Sequence, residues 1–126
     1  MKTNDLRIGN YIYGNYYGNE DEEKTEKCKV LGIDSVGFSE YPIWVEGLEE
    51  TGIETYMGFE PIPLTEEWLL KFGFGTIIGK YYSIDCHFSI SKGNKCWLFH
   101  IGNYVKSFKH VHQLQNLYHA LTGEEL

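Results

Sequence analysis

Short stretches of alternating apolar and polar residues run through the first half of the chain. From 7 to 13 the side chains alternate with a period of two, which predicts a strand that leads into a loop over 14–19. Similar stretches predict strands over 27–35, 41–48 and 53–59. Because turns rather than helices separate these strands, we expect the first half to form a small antiparallel barrel of the SH3-like type.

A segment bounded by prolines in the middle of the chain predicts a short connecting helix. Pro61 and Pro63 cannot donate hydrogen bonds to a sheet, so they are expected to end the fourth strand. Thr65 is placed to cap the following amides, the next two glutamates favour a first turn, and Gly73 favours the helix end. The expected helix covers 65–72 and buries Trp68, Leu69 and Phe72.

The second half begins with the clearest alternation in the sequence. Apolar and polar residues alternate strictly over 81–90, which predicts a strand with one buried face, and 91–94 is expected to turn it back. Gly102 and Asn103 predict a second tight turn, which gives three meandering strands. The expected cross-strand pairs are Ile90 with Lys95, Phe88 with Trp97, Cys86 with Phe99, Ile84 with Ile101, and then Ile101 with Tyr104 and Trp97 with Phe108.

Apolar residues at helical spacing mark the end of the sequence. The segment 110–122 carries a leucine-rich stripe and is followed by Gly123, so it predicts an amphipathic helix that covers the three strands. The sequence thus predicts an α+β protein, with an SH3-like unit over 1–63 and a helix, meander and C-terminal helix over 64–126, packed as one compact unit. The outward side chains of the last helix are expected to be His112, Gln115, Asn116 and His119.

The chain is acidic, and its charge is unevenly distributed. Its 126 residues carry a net charge of −7, with 5 basic and 13 acidic side chains in 1–60 and 6 and 5 in 61–126. Nucleic-acid binding depends on clustered lysine and arginine, so this balance argues against a nucleic-acid partner. The acidic runs 20–26 and 46–54 are expected to be solvated loops, with mimicry of nucleic acid as the alternative.

Cysteine usage and hydropathy together indicate a cytoplasmic protein. Three cysteines without C-x-x-C spacing fit neither a disulfide framework nor a zinc ribbon, and reduced thiols are typical of the cytoplasm. The sequence contains neither the apolar core of a signal peptide nor a run of about 20 apolar residues, so we expect no membrane association.

Tyrosines are concentrated in and after the first predicted strand. Tyr11, Tyr13, Tyr16 and Tyr17 are interleaved with glycine and asparagine, a composition typical of recognition surfaces. Tyrosine offers a large contact area at low entropic cost, so we expect these four residues to bind a partner. The alternative is that two of them belong to the strand core and the others cover a barrel edge.

A polar pair in the second half is the best candidate for chemistry. The expected register places Asp85 opposite His100, with His87 beside it, and a carboxylate can orient an imidazole for base catalysis. No nucleophile or oxyanion hole accompanies the pair, so an ordinary cross-strand contact is the competing interpretation. His112 and His119 are two helical turns apart, too far for one metal ion.

The absence of a catalytic motif in the sequence favours a binding protein over an enzyme. We expect a non-catalytic module without a cofactor that binds a protein partner through the tyrosines, with a homodimer also compatible with free sheet edges. The alternative is a small-molecule or nucleotide-binding protein with a pocket between the two β units. That pocket would be lined by Trp44, Tyr56, Trp68 and Tyr81.

Three stretches carry a resemblance to a known group of proteins. They are LRIGNY at 6–11, PIPLTEEWLLKFGF at 61–74 and VHQLQNLYHALTGEEL at 111–126. Together they resemble a family of small uncharacterised proteins encoded by Bacteroides-type gut bacteria, their prophages and phages. The resemblance implies a cytoplasmic protein of mobile-element origin that acts where phage and host meet, and it implies no activity, cofactor or catalytic residue.

Overall fold

Two antiparallel sheets and two helices form the part of the chain that the computed structural model describes. The described residues are 5–17, 22–33, 43–48, 56, 58–77, 81–83 and 89–126. This arrangement confirms the expected α+β class. The elements in chain order are β1 (Tyr11–Tyr17), β2 (Glu23–Ile33), β3 (Ile43–Gly47), β4 (Gly58–Pro61), α1 (Glu66–Lys71), β5 (Gly75–Ile77), β6 (Tyr81–Ser83), β7 (Ser89–Lys92), β8 (Trp97–Ile101), β9 (Tyr104–Phe108) and α2 (Val111–Thr122).

The first sheet contains four strands in the order β3-β2-β1-β4, and all neighbouring strands are antiparallel. β3 and β4 lie at opposite edges, so the described strands form an open sheet and an SH3-like barrel is not confirmed. Of the strand predicted over 53–59, only the last two residues belong to β4. Residues 53–55 and 57 lie outside the described part of the chain.

The loop predicted over 14–19 is wrong as far as Tyr17, because β1 continues through this stretch. Ile12, Gly14 and Tyr16 are all buried on the same face of the strand. The alternation that begins before Gly14 therefore continues beyond it, and the sheet covers positions that a glycine-rich composition assigned to a loop. Residues 18–19 lie outside the described part.

The second sheet is an antiparallel meander of five strands in sequence order. The prediction of three strands is incomplete, since β5 precedes them and the strand predicted over 81–90 is divided into β6 and β7. Tyr81 pairs with Ser91 and Tyr82 with Ile90, so the chain reverses direction between these strands. Residues 84–88, which connect them, are not among those described.

The predicted register between β7 and β8 is also wrong. Ile90 pairs with Phe99 instead of Lys95, because β7 continues to Lys92 and the chain turns later than expected. The turn is closed by a hydrogen bond of 2.9 Å from the Gly93 amide to the Cys96 carbonyl. The next hairpin is as predicted, with pairs of Ile101 with Tyr104 and Trp97 with Phe108.

α1 lies where the sequence predicts it, but its entry is held differently. Thr65 is the N-cap residue, and its side chain makes no capping hydrogen bond, so the predicted cap is wrong. Backbone pairing holds the entry instead, since the Leu64 amide donates to the Lys109 carbonyl at 2.9 Å. Gly73 follows the helix with φ of 94°, a conformation that favours glycine, and the predicted end is confirmed.

α2 ends at Thr122 before Gly123 with φ of 75°, also as predicted. His112 and Gln115 are buried, so their predicted outward orientation is wrong. The helix packs its apolar stripe on the second sheet and its polar side on the segment before β1, which periodicity within the helix cannot indicate. Gln115 accepts a hydrogen bond of 2.9 Å from the Tyr11 amide and donates one of 3.1 Å to the Gly9 carbonyl.

Two hydrophobic clusters account for the described core. The larger one lies between the second sheet and the helices, and the smaller one lies on one face of the first sheet. Tyr11 and Tyr13 pack against the larger cluster from the opposite face of the first sheet. The larger cluster comprises Ile62, Leu64, Trp68, Leu69, Phe74, Ile90, Trp97, Phe99, Phe108, Val111, Leu114 and Tyr118, and the smaller comprises Leu6, Ile12, Cys28 and Val30.

Candidate functional site

The structure divides the four candidate tyrosines between the two faces of β1. Tyr11, Tyr13 and Tyr17 occupy odd positions and share one face, whereas Tyr16 is buried on the other. Tyr16 packs edge-on against Tyr56, with ring centroids 6.4 Å apart. The four tyrosines therefore do not form one surface, and Tyr16 is part of the core.

Neighbouring strands extend the face that carries the other three tyrosines. Lys29 pairs with Tyr11 on one side and with Glu46 on the other, so these side chains point to the same face. Trp44 is two residues from Glu46 along β3 and also lies on this face. We call this surface the tyrosine face and define it by Tyr11, Tyr13 and Tyr17 on β1, Lys27 and Lys29 on β2, and Trp44 and Glu46 on β3.

The part of the tyrosine face around Tyr11 is covered by α1. The ring of Tyr11 lies 5.4 Å from Trp68 and 6.1 Å from Phe72, measured between centroids. Two ammonium groups lie over the Trp68 ring, with Lys71 Nζ 4.7 Å and Lys27 Nζ 5.7 Å from its centroid. The Lys27 contact and a contact of 5.9 Å from Lys71 Nζ to the Tyr11 ring join the sheet to the helix, so Tyr11 has an architectural role.

The tyrosine face exposes one large aromatic side chain on each side of the part that α1 covers, since Tyr17 pairs with Glu23 and Trp44 with Gly32, roughly 30 Å apart along β2. Tyr17 is 55% exposed at the end of β1, and Trp44 is 51% exposed on the edge strand β3. Tryptophan and tyrosine are enriched among the residues that contribute most of the binding energy at protein interfaces. Glu23 pairs with Tyr17 and Glu60 with Tyr13, so carboxylates accompany the lysines along this face.

The opposite face of the first sheet contains a buried carboxyl–phenol contact. Glu26 is buried on β2 and accepts a hydrogen bond from the Tyr56 hydroxyl. Burial, and next the hydrogen bond to Glu26, raise the pKa of Tyr56 well above its usual value, so the phenol keeps its proton and remains a donor. The predicted solvated loop over 20–26 is wrong for 23–26, because these residues belong to β2 and Glu26 is buried there.

Of the predicted lining of the pocket between the β units, Tyr56 lies on the other side of the first sheet from Trp44 and Trp68. Trp44 lies on the tyrosine face, and Tyr56 lies on the opposite face of the same sheet. Trp68 is in contact with Tyr11 and Lys71. Tyr81 belongs to β6 of the second sheet.

The observed register of the second sheet differs from the register that placed Asp85 opposite His100. Ser89 occupies the position opposite His100, and the Ser91 hydroxyl lies 2.7 Å from His100 Nε2. Asp85 and His87 lie outside the described residues, so the pair itself stays a prediction. The preferred interpretation of the pair as an ordinary contact without catalysis also stays a prediction.

Two histidines lie close together at the start of α2. His112 is buried, and burial together with the nearby His110 lowers its pKa, so its neutral form is favoured. The rings of His110 and His112 are stacked with centroids 5.8 Å apart. Within the described ranges, no group of three or more histidine, cysteine, aspartate or glutamate side chains is arranged to hold a metal ion.

No family model, curated protein or solved structure matches this chain. None of the helices in the described part is both long and apolar enough to cross a membrane.

Sequence reasoning missed the place of Trp44 on the tyrosine face, although the sequence contained a signal for it. In β3, Ile43 and Val45 are half-buried and alternate with the exposed Trp44 and Glu46. A strict period of two along 43–46 therefore places Trp44 with the charged residue on the solvent side.

Proposed function

We propose that this chain is a non-catalytic protein-binding module and that its tyrosine face contacts the partner. The observation that carries the proposal is the exposure of Tyr17 and Trp44 on one face of one sheet. Rigid aromatic side chains on a strand provide binding area with little loss of entropy. The contact of Tyr11 with Trp68 supports the sheet between these two exposed rings.

The charges of the tyrosine face favour a protein over a nucleic acid. Lys27 and Lys29 are accompanied by Glu23, Glu46 and Glu60 on the same face. A phosphate backbone would be repelled by the carboxylates, whereas a protein partner can present apolar side chains between charges of both signs. The proposed partner is therefore a folded protein surface or segment with this mixed character.

The proposal also covers the origin of the protein and the fold of its first sheet. The stretches at 6–11, 61–74 and 111–126 support a cytoplasmic protein of phage or mobile-element origin. An SH3-like barrel is compatible with the antiparallel order of the first sheet and stays a proposal. The partner would then be a protein of the bacterial host or of the phage.

A comparison of two matched variants tests the proposal. Replacing Tyr17 and Trp44 together by alanine removes the exposed rings, and the fold is expected to persist because both side chains are more than half exposed. Tyr104→Ala is the control, since Tyr104 is 58% exposed on β9 of the other sheet. Each tagged chain is incubated with extract of a Bacteroides-type host, and retained proteins are identified by mass spectrometry.

The binding constant of a purified retained protein decides the outcome. We expect the double variant to weaken binding by about tenfold or more, the effect of losing aromatic residues that dominate an interface. The Tyr104 variant should bind within about twofold of the original chain. Equal binding by the double variant and the original chain would refute the proposed surface.

A further inference from the structure

A basic cavity lies between the β7–β8 turn and the two segments that lead into α1 and α2. Its volume is about 300 Å³, and its lining includes Lys92 and Lys95 from the turn and Lys109 and His110 from the start of α2. Leu64 contributes an apolar wall. A cavity of this size is at the lower end of the range for sites that hold small molecules.

The charge around this cavity is opposite to that of the whole chain. The chain has a net charge of −7, yet residues 86–123 contain four lysines and no aspartate or glutamate. Lys92, Lys95 and Lys109 are exposed, and none of their ammonium groups has an ion-pair partner among the described residues. Glu66 and Glu67 follow Leu64 in sequence and do not line the cavity. The three cations therefore create a local positive potential, and Lys92 Nζ also lies 5.9 Å from the centroid of the Trp97 ring.

The walls of the cavity are held by backbone and side-chain hydrogen bonds. Pro63 and His110 form an antiparallel bridge, and the Trp97 indole donates to the Leu64 carbonyl at 3.0 Å. In the turn, Lys95 has φ of 61°, in the left-handed region that a lysine rarely adopts. Because the surrounding backbone is fixed in this way, a ligand would meet a formed site and would lose little affinity to reorganisation.

We propose that this cavity binds a small phosphate monoester whose phosphate lies among the ammonium groups of Lys92, Lys95 and Lys109. Each ammonium group can donate up to three hydrogen bonds, and charge-assisted bonds to phosphate are stronger than neutral ones. The organic part of the ligand would contact Leu64 and the adjacent apolar wall. This site lies at the second sheet and is independent of the proposed protein-binding face.

Titration of the full chain followed by NMR tests the site with two probes, inorganic phosphate and a nucleoside 5′-monophosphate. We expect saturable shifts at the amides of the turn and at the Trp97 indole, with the monoester binding more tightly than phosphate. Replacing Lys95 and Lys109 by glutamine should weaken binding by about tenfold or more, since charge-assisted hydrogen bonds are lost. Lys106→Gln is the matched control, because Lys106 is exposed on β9 and does not line this cavity.

Cys96 offers a second, local readout because it is a free cysteine that lines the cavity and is partly exposed. Bound monoester should slow the alkylation of Cys96, and peptide mass spectrometry measures the alkylation rate. The proposal is overturned if the shifts do not saturate, if chloride at equal ionic strength produces them, or if Lys106→Gln weakens binding as much as the double variant. It is also overturned if saturating monoester leaves the alkylation rate of Cys96 unchanged.

Discussion

At the scale of single residues, Gly14 determines how closely the first sheet can pack against Tyr56. A Cβ at position 14 would lie 2.5 Å from Cδ1 of Tyr56 and 2.9 Å from Sγ of Cys28. The Tyr56 ring has little freedom to move, because its hydroxyl is bonded to Glu26 and its ring packs against Tyr16. Glycine is therefore needed at position 14 because there is no space for a Cβ. Its backbone conformation, which is that of an ordinary strand, does not require glycine.

We expect Gly14→Ala to lower the free energy of unfolding by about 1–3 kcal/mol, the usual cost of overpacking a core. Gly58→Ala is the matched control in the same sheet, because the nearest atom to its added Cβ is Asn15 Nδ2 at 3.7 Å. The control should change stability by less than about 1 kcal/mol. Urea unfolding of both variants measures the difference, and equal midpoints for the two would show that Tyr56 does not limit the packing.

At the scale of elements, α2 joins the second sheet to the chain that enters the first. Its apolar residues belong to the larger core cluster, and its buried polar residues bond to the segment before β1. Asn10 donates a hydrogen bond of 2.9 Å to Asn116, and Arg7 donates one of 3.1 Å to the same oxygen. The helix thus uses one side for hydrophobic packing and another for polar contacts.

Replacing the two glutamines of α2 by methionine separates these contributions. Gln115 is 1% exposed, so Gln115→Met leaves the Tyr11 amide and the Gly9 carbonyl without their bonds. We expect a loss of about 1–3 kcal/mol for each buried group left unsatisfied. Gln113→Met is the control, because Gln113 is exposed and only its capping bonds to the Lys109 and His110 amides are lost, at a cost of about 1 kcal/mol. In calorimetric unfolding, Gln115→Met should have a clearly lower melting temperature than Gln113→Met. A lower melting temperature for Gln113→Met would contradict the role assigned to Gln115.

At the scale of the whole molecule, the sequence predicts the class of the fold better than its assembly. The ends of both helices were predictable, because a glycine directly after a helical pattern is a local signal for the helix end. In the structure Gly73 and Gly123 both have positive φ. The β7–β8 register was not, since displacing a pairing by an even number of residues leaves every side chain on the same face. The turn that sets the pairing of Ile90 with Phe99 is closed by a backbone bond that side-chain alternation does not encode.

The candidate site was predictable in part for the same physical reasons. Residue type alone marked Tyr17 as a binding residue, and the structure places it exposed on the tyrosine face. The burial of Gln115 could not be predicted, because it depends on the Gly9 carbonyl and the Tyr11 amide, which are distant in sequence. Local patterns indicate which side chains differ in polarity, and only tertiary contacts decide which polar ones are buried.

The two sheets are also expected to differ in what they bind. The first sheet presents aromatic rings among charges of both signs, whereas the second carries a cavity lined by lysines. Side-chain oxidation footprinting of the chain, alone and with its purified partner, measures which surface is covered. We predict that the partner reduces the oxidation of Tyr17 and Trp44 and leaves the oxidation of Tyr104 unchanged. Reduced oxidation of Tyr104 with unchanged Tyr17 and Trp44 would contradict it.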